Sequence, residues 1–574
     1  MTSAKGAKPV RVVHLRGGIP RDDAWLHTPD QPTIISSTVD QVGSRLLFRG
    51  YGVTPCMRPV HAGVLARDTL YFLDEVHLAT AFEQTLDRLQ RTYEDWAELS
   101  PSTGRPFQVV CMSATPRPTS ADLSIFRLGK DDHKHRVLAK RLGVSRRATL
   151  QVVKTKKAVT PAGRQQNRKA IARVASGLAK TAADGGATAI GVVVNRVDTA
   201  RRIATSLQKN HVDASVLLLT GRMRPYERTE IQATLDKTAA SGAKRPPGAT
   251  PTFVVATSCI EAGADLDFDA LITEVASLDA LRQRFGRLNR LGNYDHAPAW
   301  ILAASDQVAA SAKPDPIYGT AVRETWTYLN EIAESSTVDF GLRRFVEPEL
   351  ERRKMLLPAA VEAPVLFPSY LDMWSETRPA PHPDPDVSLW LHGKDSQVDR
   401  DVNLVFRANV PASEERASDF NERIEFLRPL SEEAVSVPLH ELRAWLKKGN
   451  KAWAWAWRSE GLEWIEAAKL QPGDTILVDA TSGGISQGTW NPESATPVED
   501  VAERAAFRIH GLAKLRVDPL TLPKSLTKNL PFPPDSDDPE TLANRHEHCL
   551  AWLQSLPARF QAEPETWGDW QPLL

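Results

Sequence analysis

The fold of this chain is predicted from the stretch Thr69-Leu70-Tyr71-Phe72-Leu73-Asp74-Glu75-Val76-His77. Its first five residues form a short, largely apolar run without strict alternation, which is typical of a parallel strand covered on both faces. Two carboxylates follow directly, and the carboxyl end of a central strand is where a nucleotide-bound Mg²⁺ is held. We therefore expect Asp74 and Glu75 to form a metal-binding and water-polarising pair, with His77 connecting the site to a neighbouring domain.

Further short apolar runs predict strands of the same kind, and helical patterns lie between them. The strands are expected at 108–112, 190–194, 215–219 and 252–256, and the clearest helices at 82–99 and 168–183. This alternation is the βαβ rhythm of doubly wound parallel sheets. The sequence therefore predicts an α/β fold over roughly the first 300 residues.

Polar residues follow these other strands as well. Ser113 and Thr115 come after 108–112, where small hydroxyl groups can hydrogen-bond the acidic loop and relay its state. The alternative is an ordinary turn that ends a strand. Asn195 closes the strand at 190–194, and Thr257 follows the strand at 252–256. Both are candidate contacts to nucleic acid.

The loop that begins at Thr257 also contains Gly263 and Asp265. A loop with a Thr, a Gly and an Asp can contact nucleic acid through its backbone. It can also contact the ribose of a nucleotide or a metal site. A plain Gly-bearing loop with a helix cap is the alternative.

The segment Gln283-Arg284-Phe285-Gly286-Arg287-Leu288-Asn289-Arg290 is the most specific motif in the chain. Arg287 and Arg290 are three residues apart, so on a helix they would share one face. Permanently charged, planar guanidinium groups suit stabilisation of charge on a transferring phosphoryl group. We expect Arg287 and Arg290 to be arginine fingers and Gln283 to couple two domains; an exposed basic helix is the alternative.

The composition is that of an ordinary globular protein, but its charge is divided unevenly along the chain. The 574 residues carry 71 Lys and Arg against 71 Asp and Glu, yet residues 1–300 hold 43 basic and 28 acidic residues. The first part is therefore net basic and the remainder is net acidic, and 13 of the 15 Trp lie from Trp300 onward. We interpret the basic stretch 127–173 as the link between two sheets, and as a candidate DNA path.

No apolar run is long enough to span a membrane, and the first residues lack the apolar core of a signal peptide. We therefore expect a cytoplasmic protein without a membrane partner. The four Cys show no paired spacing, which argues against disulfides and a zinc site. The alternating Trp453, Trp455 and Trp457 are predicted to pack in a core, with stacking on DNA bases as the alternative.

Taken in order, the motifs resemble those of a superfamily 2 helicase with two RecA-like domains. More narrowly, Thr38-Val39-Asp40-Gln41, Arg58-Pro59-Val60-His61-Ala62-Gly63, Asp74-Glu75-Val76-His77-Leu78, Leu391-His392-Gly393 and Pro472-Gly473-Asp474 resemble the helicase of type I CRISPR systems, subtype G, formerly U. The resemblance implies an ATP- and Mg²⁺-dependent translocase that moves 3′ to 5′ on single-stranded DNA. Its implied partner is the CRISPR RNA-guided surveillance complex, and Thr38 is a further candidate DNA contact.

Two features of that family are missing from the sequence. No Gly-x-x-x-x-Gly-Lys-Ser/Thr phosphate loop occurs, and only 73 residues precede Asp74, so we expect the chain to begin inside the first RecA-like domain. None of the 14 His is followed by Asp, so no HD nuclease is expected in this chain, and a separate polypeptide is one source that could supply it. His546 and His548 are predicted to lie on a solvated helix, and the start of an HD domain is the alternative.

The predicted architecture is α/β: two RecA-like doubly wound parallel-sheet domains with a C-terminal mixed α+β accessory region. We expect a partial first RecA-like domain at 1–150, the second at 151–310, a helical and Pro-rich linker region at 311–400 and the accessory domain at 401–574. Two other functions remain open, a superfamily 2 helicase acting on RNA and a non-catalytic nucleic-acid-binding or scaffold subunit. A relic of a disrupted gene is a third possibility.

Overall fold

The computed structural model describes residues 10–15, 23–51, 53–99, 106–113, 126, 128–156, 160–246, 248–378, 385–394, 401–414, 420–421, 424, 427–449, 451–458 and 461–510. The strands are β1 Arg11–Leu15, β2 Thr33–Ser37, β3 Leu70–Leu73, β4 Gln108–Cys111, β5 Arg147–Val153, β6 Ala189–Val193, β7 Ser215–Leu219, β8 Thr252–Ala256, β9 Ala270–Glu274, β10 Ala299–Ala304, β11 Thr337–Asp339, β12 Asp401–Arg407, β13 Val435–Pro438, β14 Trp453–Arg458, β15 Gly461–Glu466, β16 Thr475–Asp479, β17 Ile485–Ser486 and β18 Thr489–Trp490. The α-helices are α1 Val39–Leu46, α2 Arg58–Ala66, α3 Thr80–Leu99, α4 Arg136–Gly143, α5 Pro161–Asp184, α6 Val197–Asn210, α7 Pro225–Thr238, α8 Leu278–Phe285, α9 Ser305–Val308, α10 Ala321–Ile332, α11 Leu350–Met355, α12 Pro368–Ser375, α13 Ser388–His392, α14 Leu439–Lys448 and α15 Ala502–His510.

A seven-stranded sheet forms the largest unit, which we call the second α/β domain. Its strand order is β11-β5-β10-β9-β6-β8-β7, and every pairing is parallel except that of β11 with β5. Every residue of β6, β8 and β9 is buried, as expected for parallel strands covered on both faces. The predicted strands at 190–194, 215–219 and 252–256 are confirmed, as is the α/β fold class with parallel-dominated sheets.

Helices cover both faces of this sheet. On one face α5 and α6 pack through Ala175, Ala179 and Ile203. On the other face α8 and α10 pack through Leu281 and Leu329 together with Phe268. Gly191 in β6 is required there, because a Cβ at this position would lie 2.6 Å from the Phe268 ring.

The basic stretch 127–173 is not simply a link between sheets, as the sequence predicted. It contains α4, the whole of β5 and the first half of α5. Because Ala148–Val153 of β5 pair with β10, the stretch contributes a strand to the seven-stranded sheet. The helix α5 begins at Pro161, where the Thr160 side chain accepts a hydrogen bond from the N–H of Gly163.

The part of the chain before residue 114, which we call the first α/β domain, contains two parallel strand pairs. The strand β1 pairs with β2, and β3 pairs with β4, so the predicted strands at 69–73 and 108–112 are confirmed. The long helix α3 packs against the same core as Trp374 and Trp390 from later in the chain. The Oγ1 of Thr85 in α3 donates to the carbonyl of Trp390 at 2.6 Å, which fastens α13 to this domain.

The accessory region forms a five-stranded sheet in the order β13-β12-β16-β14-β15. Trp455 in β14 is 2% exposed and donates its Nε1–H to the carbonyl of Pro411, which confirms the prediction of core packing for this residue. Trp453 is 46% exposed and stacks against Trp464. Arg407, the last residue of β12, forms a buried ion pair with Glu433 at 2.7 Å. Burial raises the pKa of Glu433, and the charge of Arg407 acts in the opposite direction.

The accessory region docks on the second α/β domain through a mixed polar and apolar contact. The Arg222 Nη1 contacts both carboxylate oxygens of Glu441 at 2.9 Å, and Glu441 also accepts from the indole N–H of the buried Trp490. The backbone N–H of Trp490 donates to the carbonyl of Arg222. This set of hydrogen bonds fixes α14 against the loop after β7.

Replacement of Arg222 by alanine should lower the free energy of unfolding by about 1 kcal/mol, because both partners are only partly buried. Urea denaturation followed by tryptophan fluorescence measures the change. Replacement of Lys448, which pairs with Glu493 at the surface, is the matched control and should change it by less. Equal effects of the two substitutions would contradict a docking role for Arg222.

The helices in the described ranges contain no segment that is both long enough and apolar enough to cross a bilayer.

Candidate nucleotide and nucleic-acid site

The acidic loop after β3 lies beside the end of β4, as the sequence predicted. Leu73 pairs with Cys111, and the N–H of Val76 donates to the carbonyl of Met112 at 3.1 Å. Glu75 has a left-handed backbone with φ of 48°, which is uncommon for a residue other than glycine. The chain therefore turns sharply at Glu75, and the Oδ1 of Asp74 accepts the N–H of Glu75 at 3.0 Å.

Gln283 of α8 contacts this loop directly and so joins the two α/β domains. Its Nε2 donates one hydrogen bond to Glu75 Oε2 at 3.2 Å and another to His77 Nε2 at 2.7 Å. Because His77 Nε2 accepts from an amide, its Nδ1 carries the proton of a neutral ring and donates to Ser113 Oγ at 3.2 Å. Ser113, His77 and Gln283 thus form one chain of hydrogen bonds from the end of β4 to α8.

Arg287 and Arg290 do not share a helix face, which corrects the sequence prediction. The helix α8 ends at Phe285, and Asn289 has a positive φ of 44°, so both arginines lie in the turn that follows. Backbone bonds from Phe268 N–H to Arg287 O and from Asn289 N–H to Phe268 O hold this turn against the end of the sheet.

The two arginines differ in their surroundings. Arg287 donates from Nη2 to the carbonyl of Glu261, and burial and the neighbouring Arg290 lower its pKa, whereas Glu75 acts in the opposite sense. The guanidinium of Arg287 is therefore within electrostatic range of the acidic loop. Arg290 instead forms an ion pair with Asp265 at 3.3 Å.

A buried residue of the same motif, Arg284, was missed in the sequence analysis. Its side chain is fully buried and donates to Glu261 Oε1, Thr273 Oγ1, Glu274 O, Asn195 Oδ1 and the Tyr318 hydroxyl. Burial opposes the charge of Arg284, but Glu261 and Tyr318 outweigh it and raise the pKa. Because the side chain of Glu261 holds Arg284 and its carbonyl holds Arg287, this network positions the loop after β8 against the turn after α8.

The run Ala270-Leu271-Ile272-Thr273 forms most of β9 but was not predicted as a strand. This run is the sequence signal that could have indicated the network. An arginine in a helix that follows such a strand can reach the strand ends.

The other residues predicted to contact nucleic acid or nucleotide lie at separate places in the structure. Asn195 is buried; its Oδ1 accepts from Arg284 and its Nδ2 donates to the carbonyl of Val275. Its side chain therefore stabilises the fold. Thr257 is buried at the end of β8, while Gly263 is exposed with φ of 71° in the same loop. Thr38 is exposed at the start of α1. Thr115, like His546 and His548, lies outside the described residues.

The residues at the acidic loop fit a magnesium ion held together with nucleotide phosphates. Asp74 is exposed at the carboxyl end of β3, and within the described residues its carboxylate accepts a hydrogen bond from the adjacent N–H alone. Mg²⁺ in phosphoryl-transfer sites is commonly held by one or two carboxylates plus phosphates and water. Asp74 can supply one carboxylate ligand, while Glu75 is already engaged by Gln283.

Comparison with known proteins identifies a Cas3-like segment. Residues 186–293, from just before β6 to just after Arg290, match the family model described as CRISPR-associated nuclease/helicase Cas3, C-terminal. The chain is 30% identical over 161 residues to the CRISPR-associated nuclease/helicase Cas3 of Methanothermobacter thermautotrophicus, covering 28% of this chain and 18% of that protein. It is 41% identical over 117 residues to the CRISPR-associated endonuclease/helicase Cas3 of Thermus thermophilus, covering 20% of this chain and 12% of that protein.

The matched segments thus span less than a fifth of the length of these relatives. Among solved structures, T. fusca Cas3 with AMPPNP aligns with a TM-score of 0.47 at 17% identity, covering 84% of this chain and 60% of that chain. A chain of a CRISPR RNA-guided surveillance complex in a pre-nicking state aligns with a TM-score of 0.42 at 15% identity, covering 84% of this chain and 64% of that one. The family match thus shows a similarity to Cas3 helicases within the second α/β domain, over residues 186–293.

Proposed function

We propose that this chain is the motor part of an ATP- and Mg²⁺-dependent single-stranded DNA translocase that acts in type I CRISPR interference, of subtype G. The observation that carries the proposal is the pair of hydrogen bonds from Gln283 to Glu75 and His77. These bonds join an acidic strand end in one α/β domain to an arginine-bearing turn in the other, which is the arrangement that phosphoryl transfer between two domains requires. The similarity of residues 186–293 to Cas3 supports the same function.

Each residue then has a defined task. Bound Mg²⁺ would neutralise charge on the phosphates. Asp74 would hold that ion, and Glu75 would orient the attacking water through its carboxylate. Arg287 and Arg290 would stabilise the charge that develops on the transferred phosphoryl group. Gln283 and His77 would transmit any movement of the acidic loop to α8, with Ser113 holding the His77 ring.

The sequence holds no Gly-x-x-x-x-Gly-Lys-Ser/Thr, so the chain by itself lacks the backbone cradle and lysine that bind nucleotide phosphates. We therefore expect it to hydrolyse ATP only slowly. The surveillance complex and a separate HD nuclease are the partners this proposal includes.

The function is tested by hydrolysis under single-turnover conditions, with the protein in excess over labelled ATP and with single-stranded DNA present. A slow, DNA-dependent rate is expected, and Glu75→Gln should lower it about 10²-fold, because the amide cannot act as a base. Glu83→Gln, on the following helix α3, is the matched control and should keep the rate.

Rapid multiple-turnover hydrolysis by the unmodified chain would contradict the expectation of slow turnover. DNA binding that is unaffected by any nucleotide, with no hydrolysis at all, would instead favour a non-catalytic binding subunit. Stimulation by RNA but not by DNA would favour the RNA helicase alternative.

A further inference from the structure

A groove of about 820 Å³ lies outside the candidate site, on the second α/β domain. Its walls are the outer surfaces of α5 and α6, and Ser486, Asn491 and Glu493 of the accessory region also line it. Because α5 and α6 cover the opposite face of the sheet from α8, the groove and the Gln283 site are on different sides of the domain.

The groove is strongly basic. The six Lys and Arg residues that line it come from the two helices and are Lys169, Arg173, Lys180, Arg201, Arg202 and Lys209. Its acidic lining residues are Asp198, which pairs with Arg201 and Arg202, and Glu493, which pairs with Lys448.

Four of the six cations are available to a ligand. Lys169, Arg173, Lys180 and Lys209 are exposed, and no carboxylate within the described part of the chain forms an ion pair with them. The three on α5 are separated by four and seven residues, so they lie along one face of the helix over roughly 16 Å. A row of unpaired cations of this length matches an extended polyanion better than a single small anion.

The other lining groups indicate which polyanion fits. Gln165, Thr205, Ser206 and Asn210 add neutral donors, which together with Lys and Arg are the groups that contact phosphate and sugar oxygens. Only Ala172 and Leu207 are apolar, and both are buried, so the groove offers no pocket for the apolar anchors of a docking peptide helix.

The floor of the groove is open at Gly177. Gly177 is exposed, and a Cβ at this position would meet no atom within 4 Å. A strand lying against α5 at this point would meet an uncrowded surface.

We propose that this groove binds the phosphodiester backbone of a nucleic-acid strand, without reading its sequence. The groove would be a second nucleic-acid contact of the chain, remote from the nucleotide site. The proposal does not rest on ATP hydrolysis, since binding is measured without nucleotide.

The test is the salt dependence of binding to a fluorescently labelled oligothymidylate. The triple variant Lys169→Glu, Arg173→Glu, Lys180→Glu should bind about tenfold or more weakly near physiological salt. Its slope of log affinity against log salt should be shallower by about 2, since each lost phosphate contact on a single strand is worth about 0.7. The matched control reverses three exposed lysines elsewhere that have no ion-pair partner in the described ranges, Lys237, Lys244 and Lys447, and should keep the wild-type slope.

A second variant tests the groove without changing its charge. Gly177→Leu should weaken binding by filling the floor, whereas Gly177→Ala should not, and both should fold because the space is open. Equal slopes for the two triple variants would overturn the proposal. The proposal would also be overturned if the groove triple variant lost binding to labelled polyglutamate but kept its binding to the oligothymidylate. That result would assign the groove to an acidic protein segment.

Discussion

Replacement of Arg284 by alanine should lower the free energy of unfolding of the second α/β domain by about 3–5 kcal/mol. The guanidinium of Arg284 is 0% exposed and makes hydrogen bonds to five residues. Its removal leaves the buried carboxylate of Glu261 without its charge partner. It also removes the hydrogen bond that the Tyr318 hydroxyl oxygen accepts from Arg284. An unpaired charge in such a site costs far more than the loss of one surface hydrogen bond.

Arg282 provides the matched control, because it is an arginine of the same helix two residues earlier. It pairs at 2.6 Å with Glu347, whose side chain is half exposed, so Arg282→Ala should cost about 1 kcal/mol. Urea unfolding of each variant gives the comparison.

Glu261→Gln distinguishes the charge effect from simple loss of packing. In the Arg284→Ala background it should recover part of the lost stability, because it removes the unpaired buried charge. If Arg284→Ala and Arg282→Ala destabilise equally, or if Glu261→Gln brings no recovery, Arg284 does not anchor this domain in the way described.

The contrast between these two arginines shows where sequence reasoning ends. The strands β6, β7 and β8 were predictable because runs of apolar residues buried on both faces have a direct sequence pattern. The strand β5 was missed because Thr149 and Gln151 interrupt its apolar positions. Its place in the sheet depends on β10, about 150 residues away.

The candidate site divides in the same way. The contact between Gln283 and the acidic loop was predicted, because motif order and strand ends place these residues on facing edges. The path of the chain after Phe285 was not, because the positive φ of Asn289 and its pairing with Phe268 are tertiary features. The burial of Arg284 likewise depends on β9 and on Tyr318, far apart in the sequence.

The second large effect is expected for Arg287. Arg287→Ala should lower the single-turnover rate of ATP hydrolysis about 10³-fold, to the enzyme-free background, because an arginine that stabilises the transferred phosphoryl group contributes at least this much. Arg287 lies within electrostatic range of Glu75, and its buried Nε has no hydrogen-bond partner among the residues that the structure describes. That unpaired donor is consistent with a group that completes its hydrogen bonds only when a phosphate is present.

The conservative variant separates a catalytic from a structural role. Arg287→Lys keeps the charge but loses the planar pair of donors, so its rate should lie between those of the wild type and the alanine variant. Arg282→Ala should hydrolyse ATP at the wild-type rate. In the part of the chain that the structure describes, Arg287 makes one hydrogen bond, to the carbonyl of Glu261, so Arg287→Ala should lower the free energy of unfolding by only about 1 kcal/mol. A rate that falls only in proportion to lost folded protein would assign Arg287 to the fold, whereas a lost rate in a stable protein assigns it to phosphoryl transfer.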